Sequence, residues 1–398
     1  MLADVSDVVP LLSDLIAIDS VNPGLVPGAA GERRIVEMLA DRLSVSGFET
    51  RIIEADDHDD RPSLLAWTPQ SADRTVLLNG HLDTVGVEGM TDPFRATRDG
   101  DRLTGRGACD MKGGCAALVI AAETLARDIT ADEVRSDGAA PPRVVLALVA
   151  DEEDRSLGTE AVLRALPTLD LAPDVAVVAE PTWLDLATTH RGYAVAEVRF
   201  SGRAAHSSQP GEGINAVSHL ARFLGGLAAR AAAVELGGGS LMVTVVEGGS
   251  APFSIPASAR AIVERRTVPG EQAAELVVDI QDVLDDLGST DSEVAATVTL
   301  THAREAWQLA ENGPSADLAD RLGEALAERG HPRGDFSAPY WMDSALWEAA
   351  GIPTVVCGPA GGGLHAIDEW VSVEQVETYA AALGDAVTRW AHGADRAH

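Results

Sequence analysis

Lysine is almost missing from this chain: Lys112 is the only one, and arginine supplies the other basic side chains. Acids outnumber bases 62 to 30, for a formal net charge of −32. That balance argues against binding to nucleic acid or to an anionic membrane. It reads as a solvated surface, with adaptation to high salt as the alternative. An anionic substrate would have to overcome this field at a local positive centre, which bound cations can provide. No apolar run approaches the ~20 residues of a membrane helix. The three cysteines, Cys109, Cys115 and Cys357, form no CxxC pair and leave an odd count. Reduced thiols in a cytoplasm fit that pattern better than a disulfide scaffold. The stretch MLADVSDVVPLLSDLIAIDS lacks a basic segment followed by an apolar one, so it does not read as a signal peptide. There is no internal repeat and no low-complexity tract.

What is present is enough apolar sequence, 46% of 398 residues, to build a sizeable core and two domains. Up to about residue 188 helical and strand patterns alternate. Helices are expected over 2–18, 31–46 and 113–127. Strands are expected over 50–53, 63–67, 75–78, 143–149 and 175–178. Short Val- and Leu-rich runs suggest a mostly parallel sheet covered on both faces. Residues 55–62 read as an acidic loop and 127–143 as a polar surface loop. From about 189 to 303 the order is strand 193–200, helix 213–234, strand 241–247, strand 258–267, helix 271–287 and strand 293–301. That βαββαβ order is the ferredoxin-like pattern. The α/β rhythm then returns, with helices 315–329 and 344–350, strand 354–357 and helix 373–392.

Five short segments, 76–81, 107–110, 144–153, 175–180 and 353–365, each read as an apolar strand run ending in a potential metal ligand: His81, Asp110, the Glu152–Glu153 pair, Glu180 and His365. In an open α/β sheet, ligands bind outside the carboxyl ends of the strands. Two His and three carboxylates are what a pair of divalent cations needs when one carboxylate bridges them. His365 comes after residue 304 and the rest before 188, so one site requires both segments in one domain. The expected architecture is therefore a catalytic α/β domain of 1–188 and 304–398 with an inserted domain of 189–303, read as a lid.

Each motif has a plainer reading alone. In NGHLDTV, Asp83 can accept the other ring N–H of His81 and fix its tautomer; the alternative is an exposed turn. In GRGACDMKGG, glycines let the backbone approach a ligand; the alternative is an Asp N-cap. In ADEEDRS, adjacent carboxylates leaving a strand point apart, so one can bind metal while the other takes a proton from water. Glu180 in AEPT is weak alone, and His365 follows three glycines in GPAGGGLHAIDEWV. Their joint occurrence at strand ends carries the expectation of a two-metal hydrolase.

GHLDTV, GRGACDMKGG, DEE, AEPT and HAIDEW, in this order over nearly the whole chain, resemble the zinc aminoacylase and deacetylase family. It contains acetylornithine deacetylase, succinyl-diaminopimelate desuccinylase, aminoacylase and glutamate carboxypeptidase. The resemblance implies two Zn²⁺ per subunit, with Co²⁺ or Mn²⁺ tolerated. One ion would be held by His81 and Glu180 and the other by Glu153 and His365, with Asp110 bridging. Glu152 would be the general base and Asp83 would orient His81. A cis peptide is implied at Asp110–Met111. GRAAHSSQPGEGINAV resembles the family's lid motif, in which the His reaches a neighbouring subunit's site. That His is His206, and its role implies a homodimer through the lid domain. Arg266 matches an arginine near the substrate carboxylate; a salt bridge within the lid is the alternative. Phe253 stands where many relatives have a substrate-contacting Asn, Ala257 replaces a frequent Asp, and WMDSA is bulkier than the usual stretch. Those departures suggest a more apolar pocket. Glu rather than Asp at 180 tilts the expectation to deacylation.

The expected activity is hydrolysis of N-acyl amino acids, acetyl or succinyl in type, in the cytoplasm. An exopeptidase acting on small peptides is the first alternative. A metal-containing binding protein without catalysis is the second, and Glu152 beside Glu153 speaks against it, because a binding protein needs no base.

Overall fold

The computed structural model describes residues 7–56, 58–130 and 141–393. They fall into two compact units. The first runs up to Thr188 and adds Leu309–Ser337 and Met342 onward; the second is Thr189–Gln308 with Ala338–Trp341.

The first unit is built on a six-stranded sheet. Its order is Glu49–Ala55, His58–Trp67, Arg143–Val149, Thr75–His81, Val175–Val178 and Thr354–Val356. The first two pairings are antiparallel and the last three parallel, so the sheet is mixed. Thr75–His81 is buried at every position, as a central parallel strand must be when helices cover both faces. Val76, Leu78, Val144, Leu146 and Val177 join one core with the helices Val8–Ala17, Arg33–Val45, Gly113–Thr130, Pro314–Ala327 and Val373–His392. Helices Leu157–Ala165 and Ser344–Ala349 also lie against strands of this sheet. The last long helix shows how such packing is encoded. Val376, Tyr379, Ala380, Leu383, Val387 and Trp390 recur on one buried face, and the Ser372 hydroxyl caps the N-terminus by accepting the Gln375 N–H at 3.2 Å.

The parallel register places the strand ends that carry the candidate ligands together. His81 pairs with Val149, and Asn79 with Val178, so residues 81, 150–153 and 179–180 leave the sheet at one edge. Gly114 lets the Gly113–Thr130 helix reach that edge: a Cβ there would lie 2.2 Å from the Ala179 carbonyl oxygen.

Several expectations change. Residues 55–62 are mostly strand, because the edge strand and its neighbour pair antiparallel, with Glu54 opposite Pro62. Proline is tolerated there: pairing to Arg143–Val149 begins only at Leu64. Short strands at Thr97–Asp99, Arg102–Thr104, Leu186–His190, Trp307–Gln308, Asp335–Ala338, Gly361–Gly362 and Trp370–Ser372 were not anticipated. The expected loop over 127–143 falls partly outside the described residues, and the helix before it runs to Thr130. The expected helix 2–18 is described from Val8.

The second unit follows the order strand Gly192–Ser201, helix Ala216–Leu236, strands Ser240–Gly248 and Ser258–Thr267, helix Glu275–Thr290 and strand Ala295–Arg304. Its antiparallel sheet runs Ser240–Gly248, Ser258–Thr267, Gly192–Ser201, Ala295–Arg304. Alternate residues Ala194, Ala196, Val198, Phe200, Ala261 and Val263 pack with Leu220, Phe223, Leu276 and Ile280 of the two helices. Among the described residues no helix is long and apolar enough to cross a membrane.

Candidate active site

The five ligand-type residues of the first unit converge. His81, Asp110 and Glu180 form one cluster, and Asp110, Glu153 and His365 another; within each, the ligand atoms all lie within 4.8 Å of one another. Asp110 belongs to both. One of its oxygens is 3.0 Å from Nε2 of His81, and the other is 3.3 Å from Nε2 of His365. His365 Nε2 is also 3.1 Å from Glu153, and His81 Nε2 is 3.9 Å from Glu180.

Local conformation sets these positions. Gly107, with φ 77°, turns the chain into Ala108–Lys112, where Asp110 has φ −118° and ψ 97°, outside the helical region. A Cβ at Gly107 would lie 2.7 Å from Thr84. The Asp110–Met111 peptide is cis. His365 sits at φ 61°, in the left-handed region.

The imidazole Nδ1–H of His81 donates to the carbonyl oxygen of Asp83 at 2.9 Å, while the Asp83 carboxylate lies 3.7 Å away. A carbonyl only accepts, so the Nδ1 proton is fixed and the neutral ring has its lone pair on Nε2. The Asp83 carboxylate instead accepts from Asn22 Nδ2 at 2.8 Å, from the Glu152 N–H at 3.1 Å and from the Glu153 N–H at 3.2 Å. It therefore holds the loop that carries both glutamates.

Buried support continues behind it. Asn22 also donates to Asp151, which pairs with Arg61 at 2.7 Å, and Arg61 pairs with Glu32 at 2.7 Å. Asp343 accepts from Thr159 at 2.5 Å. Glu369 accepts from the turn around Asp110. None of these was singled out from the sequence, although DEE, WMDSA and HAIDEW contain three of them.

The electrostatics reflect crowded acids. Burial, then the charge of Glu180, raises the Glu152 carboxyl well above the usual range. Burial, then the charge of Asp110, raises Glu153, and burial raises Glu180 well above its ordinary value. Burial pushes Asp343 up to about 6. Burial also works against the charge on Asp110, but hydrogen bonds with His365 and His81 outweigh it and lower its pKa. His365 is pushed up to about 10 by hydrogen bonds with Asp110 and Glu153.

This donor set fits a pair of cations. In a tetrahedral site with bonds of about 2.0–2.1 Å, neighbouring donor atoms lie roughly 3.3–3.4 Å apart. The separations of 3.0 to 3.3 Å around Asp110 and His365 are close to that. Among the described residues Glu153 Oε1, which is buried, has no hydrogen-bond partner, as a carboxylate oxygen awaiting an ion would.

The remaining expected residues belong to the second unit. His206 is exposed, and its Nδ1 accepts the Ser208 N–H at 3.2 Å, so a neutral ring carries its proton on Nε2. Arg266 pairs with Glu264 and lies 5.4 Å from the Tyr193 ring centroid. Phe253 is 76% exposed at φ 69°, a conformation that Asn adopts more readily than a bulky side chain.

Comparison with known proteins shows the family of the chain. The family described as Peptidase family M20/M25/M40 matches residues 77–389. A succinyl-diaminopimelate desuccinylase of Cereibacter sphaeroides is 31% identical over 390 residues, covering 93% of this chain and 95% of that protein. An N-acetyl-L-citrulline deacetylase of Xanthomonas campestris is 29% identical over 389 residues, covering 92% and 94%. The fold is shared with a dinuclear metal-binding peptidase of Bacillus subtilis, with a TM-score of 0.71, 15% identity, and coverage of 96% of this chain and 97% of that one.

Proposed function

Because the chain belongs to peptidase family M20/M25/M40, we propose that it is a two-metal amidohydrolase acting on N-acyl amino acids with acetyl- or succinyl-type acyl groups. The observation that carries this reading is the pair of ligand clusters sharing Asp110, with Glu152 directly beside Glu153. His81 and Glu180 would hold one ion, Glu153 and His365 the other, and Asp110 both. The mixed nitrogen and oxygen donors suit Zn²⁺, with Co²⁺ or Mn²⁺ as substitutes. When bound, the ions would polarise the amide carbonyl and acidify water.

The chain's own residues would do the rest. Glu152 takes a proton from the attacking water and returns it to the leaving amine nitrogen. Burial among other acids raises its proton affinity, as that exchange requires. Asp83 holds Glu152 and Glu153 through their main-chain N–H groups. His206, with its proton on Nε2, donates to the substrate carbonyl oxygen as charge develops there. In this proposal it does so from a second copy of the chain, so the protein is a homodimer through its second unit. That unit is a ferredoxin-like lid. Arg266 would meet the substrate carboxylate and Phe253 an apolar acyl or side-chain group. The free, buried thiols of Cys109, Cys115 and Cys357 fit a cytoplasmic enzyme.

Deacylase relatives that cover nearly the whole chain, and Glu rather than Asp at 180, favour N-acyl amino acids. Hydrolysis of small peptides by the same residues is the second reading, favoured by the fold shared with a peptidase. Amine release from acyl amino acids compared with dipeptides, with added metal or chelator, decides between them.

A further inference from the structure

Four residues after His365 the motif HAIDEW supplies another acid, Glu369, which has no part in the proposed chemistry. It is 1% exposed. One carboxylate oxygen accepts from Arg106 Nη1 at 2.7 Å and from the Gly107 N–H at 2.9 Å. The other accepts from the Cys109 N–H at 2.8 Å and the Asp110 N–H at 3.0 Å. Its main chain takes part as well: the Gly105 N–H donates to the Glu369 carbonyl at 3.3 Å. Directly after it, Trp370–Ser372 pairs antiparallel with Arg102–Thr104.

Every donor to this carboxylate comes from the turn that ends in Asp110. The carboxylate itself belongs to the segment that carries His365. We propose that Glu369 is a positioning residue for the metal centre. It fastens the His365 segment to the Asp110 turn and so sets the two side chains within 3.3 Å of each other. This rests on the two-metal reading above.

The physical reason lies in the turn. With Gly107 at φ 77° and Asp110 non-helical, the N–H groups of Gly107, Cys109 and Asp110 are not taken up by main-chain carbonyls of a helix ladder and converge on one buried anion instead. Removing that anion leaves three N–H groups and the Arg106 charge to find other partners, and the turn can then leave the position that brings Asp110 to both imidazoles. Groups that orient ligands from behind in this way typically change metal affinity 10- to 100-fold when lost. His81 and Glu180 are held at strand ends of the central sheet, so the ion on Glu153 and His365 depends on Glu369 more strongly than its neighbour does.

The test is calorimetric titration of the full-length, metal-stripped protein with Co²⁺, for the wild type and for E369Q. Glutamine keeps the shape and one acceptor oxygen but turns an NH₂ group toward the remaining donors. Wild type is expected to bind two Co²⁺. E369Q is expected to bind both more weakly, the ion on Glu153 and His365 the more so, by about 10- to 100-fold. Raising Co²⁺ should then restore kcat, which a general loss of folded protein would not allow. If E369Q does not fold, E369D carries the same test, since it keeps the charge and withdraws it by one methylene. Two sites of wild-type affinity in the folded variant would overturn the positioning role. Fewer than two Co²⁺ on the wild type would overturn the two-metal reading, and this inference with it.

Discussion

The carboxylate of Asp83 accepts the main-chain N–H of Glu152 at 3.1 Å. The proposed base is thereby held through its backbone, and its side chain stays available for water. Asp83→Asn places an NH₂ group among the donors from Glu152, Glu153 and Asn22. It should lower kcat by about 10- to 100-fold while leaving the global fold intact. Steady-state kinetics beside a thermal melt would show this. Unchanged kcat would mean that the loop holds its geometry without Asp83.

Glu152 itself is tested by E152Q, which keeps shape and removes the exchangeable carboxylate. Bound metal, measured by elemental analysis, should equal that of the wild type. The turnover number should fall by a factor on the order of 10²–10⁴. Survival of turnover would reassign the base.

Asp110 is common to both ligand clusters, whereas His365 belongs to one. Metal content should therefore drop for both ions in D110N and chiefly for one ion in H365A. Equal losses in the two variants would contradict the bridging role.

His190, in the second unit, provides a pH test. Its ring stacks on Trp307 at 5.6 Å and meets Trp341 edge-on at 6.2 Å. Burial pushes its imidazole down from 6.5 to about 4. The unfolded chain takes up this proton near pH 6.5 and the folded chain only near 4. The unfolded state thus binds more protons in that window, and stability falls as pH drops through it. At pH 5 the loss relative to pH 7 amounts to about 2 kcal/mol. Urea unfolding of wild type and H190Q at both pH values should show the wild type losing that much more. A difference independent of pH would remove His190 as the cause.

Much of the candidate cluster was legible because it is local. An apolar run followed within a few residues by His or Glu reads as a strand end with a candidate ligand, and parallel pairing brings such ends to one edge, as His81, Glu153 and Glu180 illustrate. The supporting groups were not legible in the same way. Glu369 meets Cys109 from 260 residues away, and Asn22 meets Asp151 from 129, so no spacing announces them. Asp83 was read as the acceptor for His81, yet its carbonyl is the nearer partner, since two residues along a turn bring main chain closer than side chain. Strands of two to four residues, such as Gly361–Gly362 and Trp370–Ser372, are too short to show a period. The strand pair through residues 55–62 was hidden by its acidic composition, because pairing with a neighbour outweighs local propensity.

The most direct test of the central claim is amine release from a panel of N-acetyl and N-succinyl amino acids and dipeptides. The protein would be supplied with Zn²⁺, Co²⁺ or Mn²⁺, with a chelator as control. The account predicts chelator-sensitive release from acyl amino acids in preference to dipeptides. Release from dipeptides alone, or release that survives removal of the metals, would contradict it.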